Sequence, residues 1–136
     1  MSLNEIEKKR YARQMMMENW GPSVQEKLKR STVFIAGAGG LGSPVAIYLA
    51  IAGVGHLRIC DFDSPDMSNL NRQILHDESR IGVNKAVSAG MTLERLNPHV
   101  RVTAIEDRIE SSNVDRLVGD AQLIVDCRTI FPRAMF

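Results

Sequence analysis

Regularly spaced glycines after a short apolar run are the first candidates for chemistry in this sequence. Gly37, Gly39 and Gly42 fit the pattern G-x-G-x-x-G and directly follow the apolar residues 32–36. Glycines let the backbone approach a nucleotide closely, and free N–H groups at the start of the next helix attract anions. The strand–loop–helix context therefore predicts a Rossmann-type nucleotide-binding loop.

An acidic residue stands where a site of this type holds a ribose. Asp61 follows the second apolar run, residues 56–60, and lies 19 residues after Gly42. A carboxylate at this position can accept hydrogen bonds from both ribose hydroxyl groups. Because the glycine loop and Asp61 suit NAD as well as ATP, these residues leave both cofactors open.

The polar segment after Asp61 favours a triphosphate over a nicotinamide. It holds one arginine and several amides, and a lysine follows at the start of a predicted helix. Arginine can bind phosphate oxygens through two parallel hydrogen bonds, and lysine offers a compact positive charge. The candidate cofactor-binding residues of this segment are Asp63, Ser68, Asn69, Arg72, Gln73 and Lys85.

Eight short motifs, in order from residue 10 to residue 127, resemble those of the ubiquitin-activating-enzyme-like superfamily. The resemblance is to its ThiF/MoeB/HesA-type bacterial adenylyltransferases, and the combination is far more specific than any single motif. The matching stretches are Arg10-Tyr11-Ala12-Arg13-Gln14, Gly37-Ala38-Gly39-Gly40-Leu41-Gly42-Ser43, Ala52-Gly53-Val54-Gly55, Asp61-Phe62-Asp63, Ser68-Asn69-Leu70-Asn71-Arg72-Gln73, Ile81-Gly82-Val83-Asn84-Lys85, Leu96-Asn97-Pro98 and Val125-Asp126-Cys127.

The resemblance implies an activity and residue roles. Such enzymes use ATP and Mg2+ to adenylate the C-terminal glycine of a small ubiquitin-like sulfur-carrier protein, of the molybdopterin or thiamine type, and release pyrophosphate. By this resemblance Gly40 and its neighbours contact the nucleotide, and Asp61 holds its ribose. Asn69, Arg72 and Lys85 hold the phosphates. Arg13 matches an arginine that reaches the partner subunit's ATP in family homodimers. The implied catalytic residues are thus Arg13, Arg72 and Lys85.

The sequence departs from the family pattern after Cys127. Thr129 stands where the family has the aspartate that ligates Mg2+, and a neutral hydroxyl is a poor ligand for this cation. We therefore assign no metal ligand in this chain. The zinc cysteines of many members are also absent, since Cys60 and Cys127 form no C-x-x-C motif and are expected to be packed in apolar surroundings.

Residues 128–136 suggest a reason for this departure. One allowed codon set for them, read from the third base of its first codon, encodes Asp-Asn-Phe-Pro-Thr-Arg-His-Val, which is the continuation expected in the family. We hypothesise a one-base deletion just after the Cys127 codon, which makes residues 128–136 an out-of-frame tail. On this hypothesis the chain is the first half of a family domain, with weak or no activity. Sequencing the gene tests it.

The predicted elements place these residues at one edge of a sheet. Apolar or alternating runs indicate strands at 32–36, 56–60, 100–105 and 122–126. Helices are predicted before and between them, at about 4–19, 24–30, 43–52, 83–96 and from 111 or 112 to 118. This order predicts an α/β fold, with a Rossmann-like, mostly parallel sheet, flanking helices and an N-terminal helical extension. The predicted domains are the extension at 1–30, the nucleotide-binding domain at 31–127 and the tail at 128–136.

Composition narrows the class of protein. The length of 136 residues suits one domain, and a net charge of +1 gives no reason to expect nucleic-acid binding. No apolar run is long enough to span a bilayer, and residues 2–13 are too charged for a secretory signal, so we expect a cytoplasmic protein without membrane contact.

Two other functions are compatible with parts of the pattern. A non-catalytic nucleotide-binding or dimerisation module would keep Gly40, Asp61 and Arg72 without magnesium chemistry. An NAD-dependent oxidoreductase would use the glycine loop and Asp61, although Arg72 and Lys85 speak against it. The histidines His56, His76 and His99 lack metal-ligand spacing and are expected to be structural or solvated.

Overall fold

A four-stranded parallel sheet organises the protein, whose computed structural model describes residues 2–129. The strand order is β3–β2–β1–β4, which confirms the predicted α/β fold with a parallel sheet. The strands are β1 (Thr32–Ala36), β2 (His56–Cys60), β3 (Arg101–Ile105) and β4 (Leu123–Asp126). The helices are α1 (Glu5–Arg10), α2 (Ala12–Met15), α3 (Gly21–Lys29), α4 (Gly42–Ala52), α5 (Lys85–Leu96) and α6 (Val114–Val118), and two 3-10 turns span Met67–Asn69 and Glu78–Arg80.

The central strand β1 is buried on both faces, because successive side chains of a strand point to opposite sides. Val33 and Ile35 pack into a cluster with residues of α4 and α5. Phe34 and Ala36 pack into a second, smaller cluster that includes Leu117 of α6. The β-branched and aromatic residues of β1 thus hold a helical layer on each face of the sheet.

The strand order reverses next to β1. After β2 and β3 have been added on one side of β1, the chain returns to add β4 on the other side. In open parallel sheets, the crevice at the carboxyl ends of the strands beside such a reversal is the usual ligand site. The loops after β1, β2 and β4 are therefore the parts of the fold that position a site.

The helices of the N-terminal extension differ from the prediction. The single helix expected over residues 4–19 is divided at Tyr11, whose φ of −101° and ψ of 9° leave the helical region. The Tyr11 ring is buried, and its hydroxyl accepts a 2.7 Å hydrogen bond from the Asn97 side chain. Tertiary anchoring of this one side chain outweighs the local helical preference of the residues around it.

Other helix boundaries are set by caps. The helix expected at 24–30 begins earlier, at Gly21, with Pro22 in its first turn, where a missing N–H costs nothing. The helix expected from Val83 begins at Lys85, because the Asn84 side chain accepts hydrogen bonds from the N–H groups of Ala86 and Val87. No helix within residues 2–129 is long and apolar enough to cross a membrane.

Candidate functional site

The glycine loop makes a tight turn from β1 into α4. Gly37 has a φ of +100°, and a Cβ atom there would lie 3.0 Å from the carbonyl oxygen of Cys127. A Cβ on Gly42 would lie only 2.0 Å from the Gly37 carbonyl oxygen, so the turn closes on itself and excludes any larger residue. Within residues 2–129 the amides of Gly39 and Gly40 have no protein acceptor, which leaves them available to an anion.

Asp61 links the end of β2 to this loop. One of its carboxylate oxygens accepts a 2.8 Å hydrogen bond from the Ala38 N–H, and the other accepts one of 2.9 Å from the Asp63 N–H. The Asn84 side chain also donates to the Asp61 carbonyl, at 2.8 Å. Each carboxylate oxygen keeps a further lone pair, so Asp61 can still accept hydrogen bonds from a diol.

Two positive side chains line the same pocket as the glycines. Lys85 is the first residue of α5, only 8% exposed, and forms no ion pair within the described part of the chain. A positive charge at a helix N-terminus is unfavourable, so a bound anion would compensate it. Arg72 is exposed and extends over Gly40, where a Cβ atom would lie 3.5 Å from Arg72 Cγ.

Gln73 has a buried amide with an unused acceptor. The residue is 4% exposed, and its Oε1 is the one buried side-chain oxygen or nitrogen without a partner in the chain from residue 2 to residue 129. Its Nε2 lies 3.2 Å from the position of a Cβ on Gly39. Leaving a buried acceptor unpaired costs about 1–3 kcal/mol, so a ligand hydroxyl or amino group would be stabilised here.

These residues surround one pocket of about 820 Å³ at the carboxyl ends of the strands. Its size suits a nucleotide-sized ligand. The pocket brings together nine of the sequence candidates, whereas Gly42, Ser68 and Arg13 do not line it. Gly42 starts α4, Ser68 is exposed on the Met67–Asn69 turn, and Arg13 is exposed on α2. The candidates that line the pocket are Gly37, Gly39, Gly40, Asp61, Asp63, Asn69, Arg72, Gln73 and Lys85.

The segment after β3 contributes pocket residues that sequence reasoning missed. The Arg108 guanidinium lies 4.2 Å from the centroid of the Phe62 ring, and both residues line the pocket with Ile109. This distance is typical of a cation–π contact. Arg108 could have been found from its position just after a predicted parallel strand, because the carboxyl ends of all such strands meet at the same edge of the sheet.

The residues at the end of β4 do not fit a protein-bound magnesium ion. Thr129, at the position of the expected aspartate, lines the pocket with a neutral hydroxyl. The nearby Asp126 carboxylate accepts two hydrogen bonds from the Arg128 guanidinium, at 2.8 and 2.7 Å, which lowers its pKa to about 2. No group of three or more metal-ligating side chains occurs within residues 2–129. The out-of-frame tail proposed for residues 128–136 lies mostly outside this range.

Both cysteines are packed thiols. Cys60 and Cys127 are buried and unpaired, and Cys60 Sγ donates to the Asp107 carbonyl at 3.1 Å. Burial, with the carboxylates of Asp107 and Asp61, raises the pKa of Cys60 to about 11. Burial also raises the pKa of Cys127. Neither cysteine is therefore a thiolate nucleophile near neutral pH.

Comparison with known proteins identifies relatives over most of the chain. The chain is 47% identical to the adenylyltransferase and sulfurtransferase UBA4 of Kluyveromyces lactis, and the match covers 93% of this chain and 28% of UBA4. It is 41% identical to the SAMP-activating enzyme E1 of Haloferax volcanii, and this match covers 97% of this chain and 49% of the Haloferax protein. The chain thus spans less than half of these relatives.

Solved structures share the fold. PaaA superposes with a TM-score of 0.86 at 36% identity, over 92% of this chain and 42% of PaaA. E. coli MccB, solved with AMPCPP and MccA, superposes with a TM-score of 0.77 at 32% identity, over 85% of this chain and 36% of MccB. The profile of the ThiF family matches residues 11–129, which carry the glycine loop, Asp61, Arg72 and Lys85. This chain is therefore a member of the ThiF family.

Proposed function

We propose that this chain binds ATP and belongs to an enzyme that adenylates the C-terminal glycine of a ubiquitin-like sulfur-carrier protein. The observation that carries the proposal is the pocket composition. Lys85 is largely buried, has no ion pair within residues 2–129, and lines the pocket together with Arg72 and the glycine loop. The amides of Gly39 and Gly40 have no acceptor in the same part of the chain, and Asp61 has acceptor capacity left for a diol. A pocket with these groups complements a ribose joined to a chain of phosphates.

The transfer requires little covalent chemistry from the protein. A carboxylate oxygen of the glycine attacks the α-phosphorus, a new P–O bond forms, and the bond to the bridging α–β oxygen breaks to release pyrophosphate. Negative charge develops on the departing pyrophosphate, where Arg72 and Lys85 would stabilise it. The Gly39 and Gly40 amides would hold the phosphates in line, and Asp61 and Gln73 would orient the nucleoside.

Relatives support this assignment. UBA4 is named an adenylyltransferase and sulfurtransferase, and the Haloferax protein is named an activating enzyme E1. MccB was solved with AMPCPP, a non-hydrolysable ATP analogue, together with MccA. These names concern proteins longer than this chain, so we propose the nucleotide-binding part of their activity for residues 31–127. Magnesium would bind mainly through ATP here, since Thr129 supplies no charge.

Two assays test the function. Calorimetric titration with ATP, with NAD as the comparison, should show ATP binding that the charge-removing variant Arg72→Gln weakens about tenfold. ATP–pyrophosphate exchange should then be measured with a ubiquitin-like carrier protein that ends in glycine, against the same carrier without its last glycine. Exchange that requires this glycine supports the adenylyltransferase. ATP binding without exchange favours the non-catalytic module, and preferential NAD binding favours the oxidoreductase.

We also propose a homodimer in which Arg13 serves the partner subunit's pocket. Arg13 is exposed on α2 and does not line the pocket of its own chain, and Met16 and Met17 near it in the sequence are 81% and 51% exposed. Exposed methionines next to a charged residue suit a protein interface.

Light scattering measures whether the protein forms a dimer. If the Arg13→Ala and Arg72→Gln proteins are each deficient in ATP–pyrophosphate exchange, mixing them should recover part of the exchange. In a mixed dimer, one of the two pockets still has its own Arg72 and receives Arg13 from the other subunit. No recovery in a proven mixed dimer contradicts the proposal.

A further inference from the structure

A buried histidine lies directly behind the glycine loop. His76 is 7% exposed, between the two 3-10 turns of the polar segment. Its Nε2 lies 2.7 Å from the Ala38 carbonyl oxygen, and its Nδ1 lies 2.7 Å from Ser88 Oγ of α5. Of the two outcomes expected from the sequence, structural or solvated, the structure shows the first. His76 connects three segments that are distant in sequence.

The partners of His76 determine which ring nitrogen carries the proton. A backbone carbonyl only accepts, so Nε2 must donate its hydrogen to Ala38. In the neutral ring Nδ1 then accepts the hydrogen of the Ser88 hydroxyl. Arg80, itself 4% exposed, donates to Ser88 Oγ at 3.1 Å and to the Ser88 carbonyl at 2.7 Å. Every bond from Arg80 through Ser88 and His76 to Ala38 therefore runs from donor to acceptor.

The charged groups around the imidazole keep it neutral. Burial lowers the pKa of His76, and the cations Lys85 on α5 and Arg80 on the 3-10 turn lower it further. The Ala38 acceptor in the loop and the Asp61 carboxylate after β2 act in the opposite direction, and the net shift is downward. The neutral ring with a hydrogen on Nε2 is thus the form in which the loop is held near pH 7.

The bond to Ala38 sets the direction of the next amide. The Ala38 carbonyl and the Gly39 N–H belong to one planar trans peptide and point in opposite directions. With the Ala38 N–H bound by Asp61 and its carbonyl bound by His76, both peptide planes around Ala38 are fixed. The Gly39 N–H must then point away from His76, and Gly39 lines the pocket.

We propose that His76 is a positioning residue that orients the Ala38–Gly39 peptide and thereby presents the Gly39 amide to a nucleotide phosphate. This inference rests on the proposed nucleotide site. It assigns to His76 a role in phosphate binding although the imidazole lies behind the loop and does not line the pocket. It also gives the buried cation Arg80 a role, because Arg80 anchors the far end of the hydrogen-bonded chain through Ser88.

The test compares phosphate binding with nucleoside binding. His76→Leu removes the donor to Ala38 and should weaken ATP binding about tenfold while adenosine binding stays within about twofold. His76→Gln places an amide N–H where Nε2 was and should restore most of the ATP affinity. A purely structural role would weaken ATP and adenosine alike, and Gln would then restore nothing.

A second pair of variants covers the case in which His76→Leu fails to fold. Ser88→Ala removes the partner of Nδ1 and should weaken ATP binding about threefold without affecting adenosine. Its matched control is Thr92→Ala, because Thr92 Oγ1 also accepts from Arg80, at 3.1 Å, but is not one of the hydrogen-bond partners of His76, which are Ser88 and Ala38. The control should lower stability and leave the ratio of ATP to adenosine affinity unchanged. Equal ratios in the two variants overturn the proposal.

Nitrogen NMR on the ligand-free protein decides the tautomer separately. We expect the hydrogen on Nε2 of His76, and a Gly39 amide shift that moves in Ser88→Ala. A hydrogen on Nδ1 alone overturns the proposal even if ATP binds. Failure of the wild-type protein to bind ATP overturns the proposed function, whereas the tautomer and the Gly39 shift still test the orientation of the peptide by His76.

Discussion

The carboxylate of Asp61, at the end of β2, accepts a 2.8 Å hydrogen bond from the backbone N–H of Ala38, in the loop after β1. This bond joins Asp61, the proposed ribose-binding residue, to the loop that we propose binds phosphate, so it couples the positions of the two parts of the proposed site. The bond thus connects residues that are 23 positions apart in the sequence at the carboxyl ends of the strands. The consequences for binding and stability can be measured with single substitutions.

Replacing Asp61 should affect the nucleoside part of any ligand. Asp61→Asn keeps the size of the side chain but leaves one oxygen to serve the two N–H groups of Ala38 and Asp63. Hydrogen bonds to charged groups contribute about 1.5–3 kcal/mol, so we expect ATP and adenosine binding to weaken together by at least tenfold. Calorimetry measures both. The control is Asp120→Asn at an exposed position, and an equal loss there contradicts the assignment.

Lys85 should show a conflict between stability and binding. Lys85→Met keeps the buried stem but removes a cation from a helix N-terminus, so the free energy of unfolding should rise by about 0.3–1 kcal/mol. ATP binding should fall about tenfold with adenosine binding unchanged. Urea denaturation and calorimetry test the two parts. The exposed Lys27→Met is the control, and weaker adenosine binding in Lys85→Met would argue against a phosphate role.

Alanine substitutions at two glycines should change the free energy of unfolding in opposite directions. In Gly42→Ala the new Cβ would meet the Gly37 carbonyl at 2.0 Å, so the loop must shift, at a cost on the order of 2–4 kcal/mol. In Gly90→Ala, inside α5, the nearest atom is Val102 Cγ1 at 3.5 Å, and stability should rise by about 0.5–1 kcal/mol. Urea unfolding measures both changes, and a neutral Gly42→Ala would contradict the observed turn.

Introducing a carboxylate at residue 129 should strengthen magnesium-dependent chemistry. Thr129→Asp adds the charged oxygen ligand that Mg2+ prefers, and we expect the magnesium concentration for half-maximal ATP–pyrophosphate exchange to fall about tenfold. Thr129→Asn is the matched control, since it has the shape but not the charge. If both variants behave alike, residue 129 is not the position of the metal ligand.

From the raised pKa of Cys60 we predict that the folded protein loses stability at high pH. The pKa of Cys60 is raised from 9.0 to about 11 in the folded state, so the folded protein retains a proton that the unfolded chain loses. This contribution is fully present below pH 9 and is lost as pH rises towards 11. Urea midpoints should therefore fall more steeply in the wild type than in Cys60→Ala across this range. Native Cys60 should also react slowly with a thiol reagent at pH 8 and rapidly after unfolding.

Much of the architecture could be predicted from local pattern. The apolar runs at β1 and β2 and the alternation of strands with helices indicated the parallel sheet, because strand and helix periodicities differ. The division of the first helix at Tyr11 could not be predicted, since it depends on the contact with Asn97, 86 positions away. Arg108 was missed because its contact with Phe62 exists only once β2 and β3 are paired.

The sequence by itself determined the family and the chemical types at the site: the glycines, Asp61, Arg72 and Lys85, whose order and spacing are covalent properties of the chain. Only the tertiary structure decided which groups are free to meet a ligand. It buries the unpartnered Gln73 oxygen, leaves Lys85 without a counter-ion in the described chain, and places His76 behind Ala38. Burial and hydrogen-bond pairing depend on contacts between distant segments, and local sequence carries no direct record of those contacts.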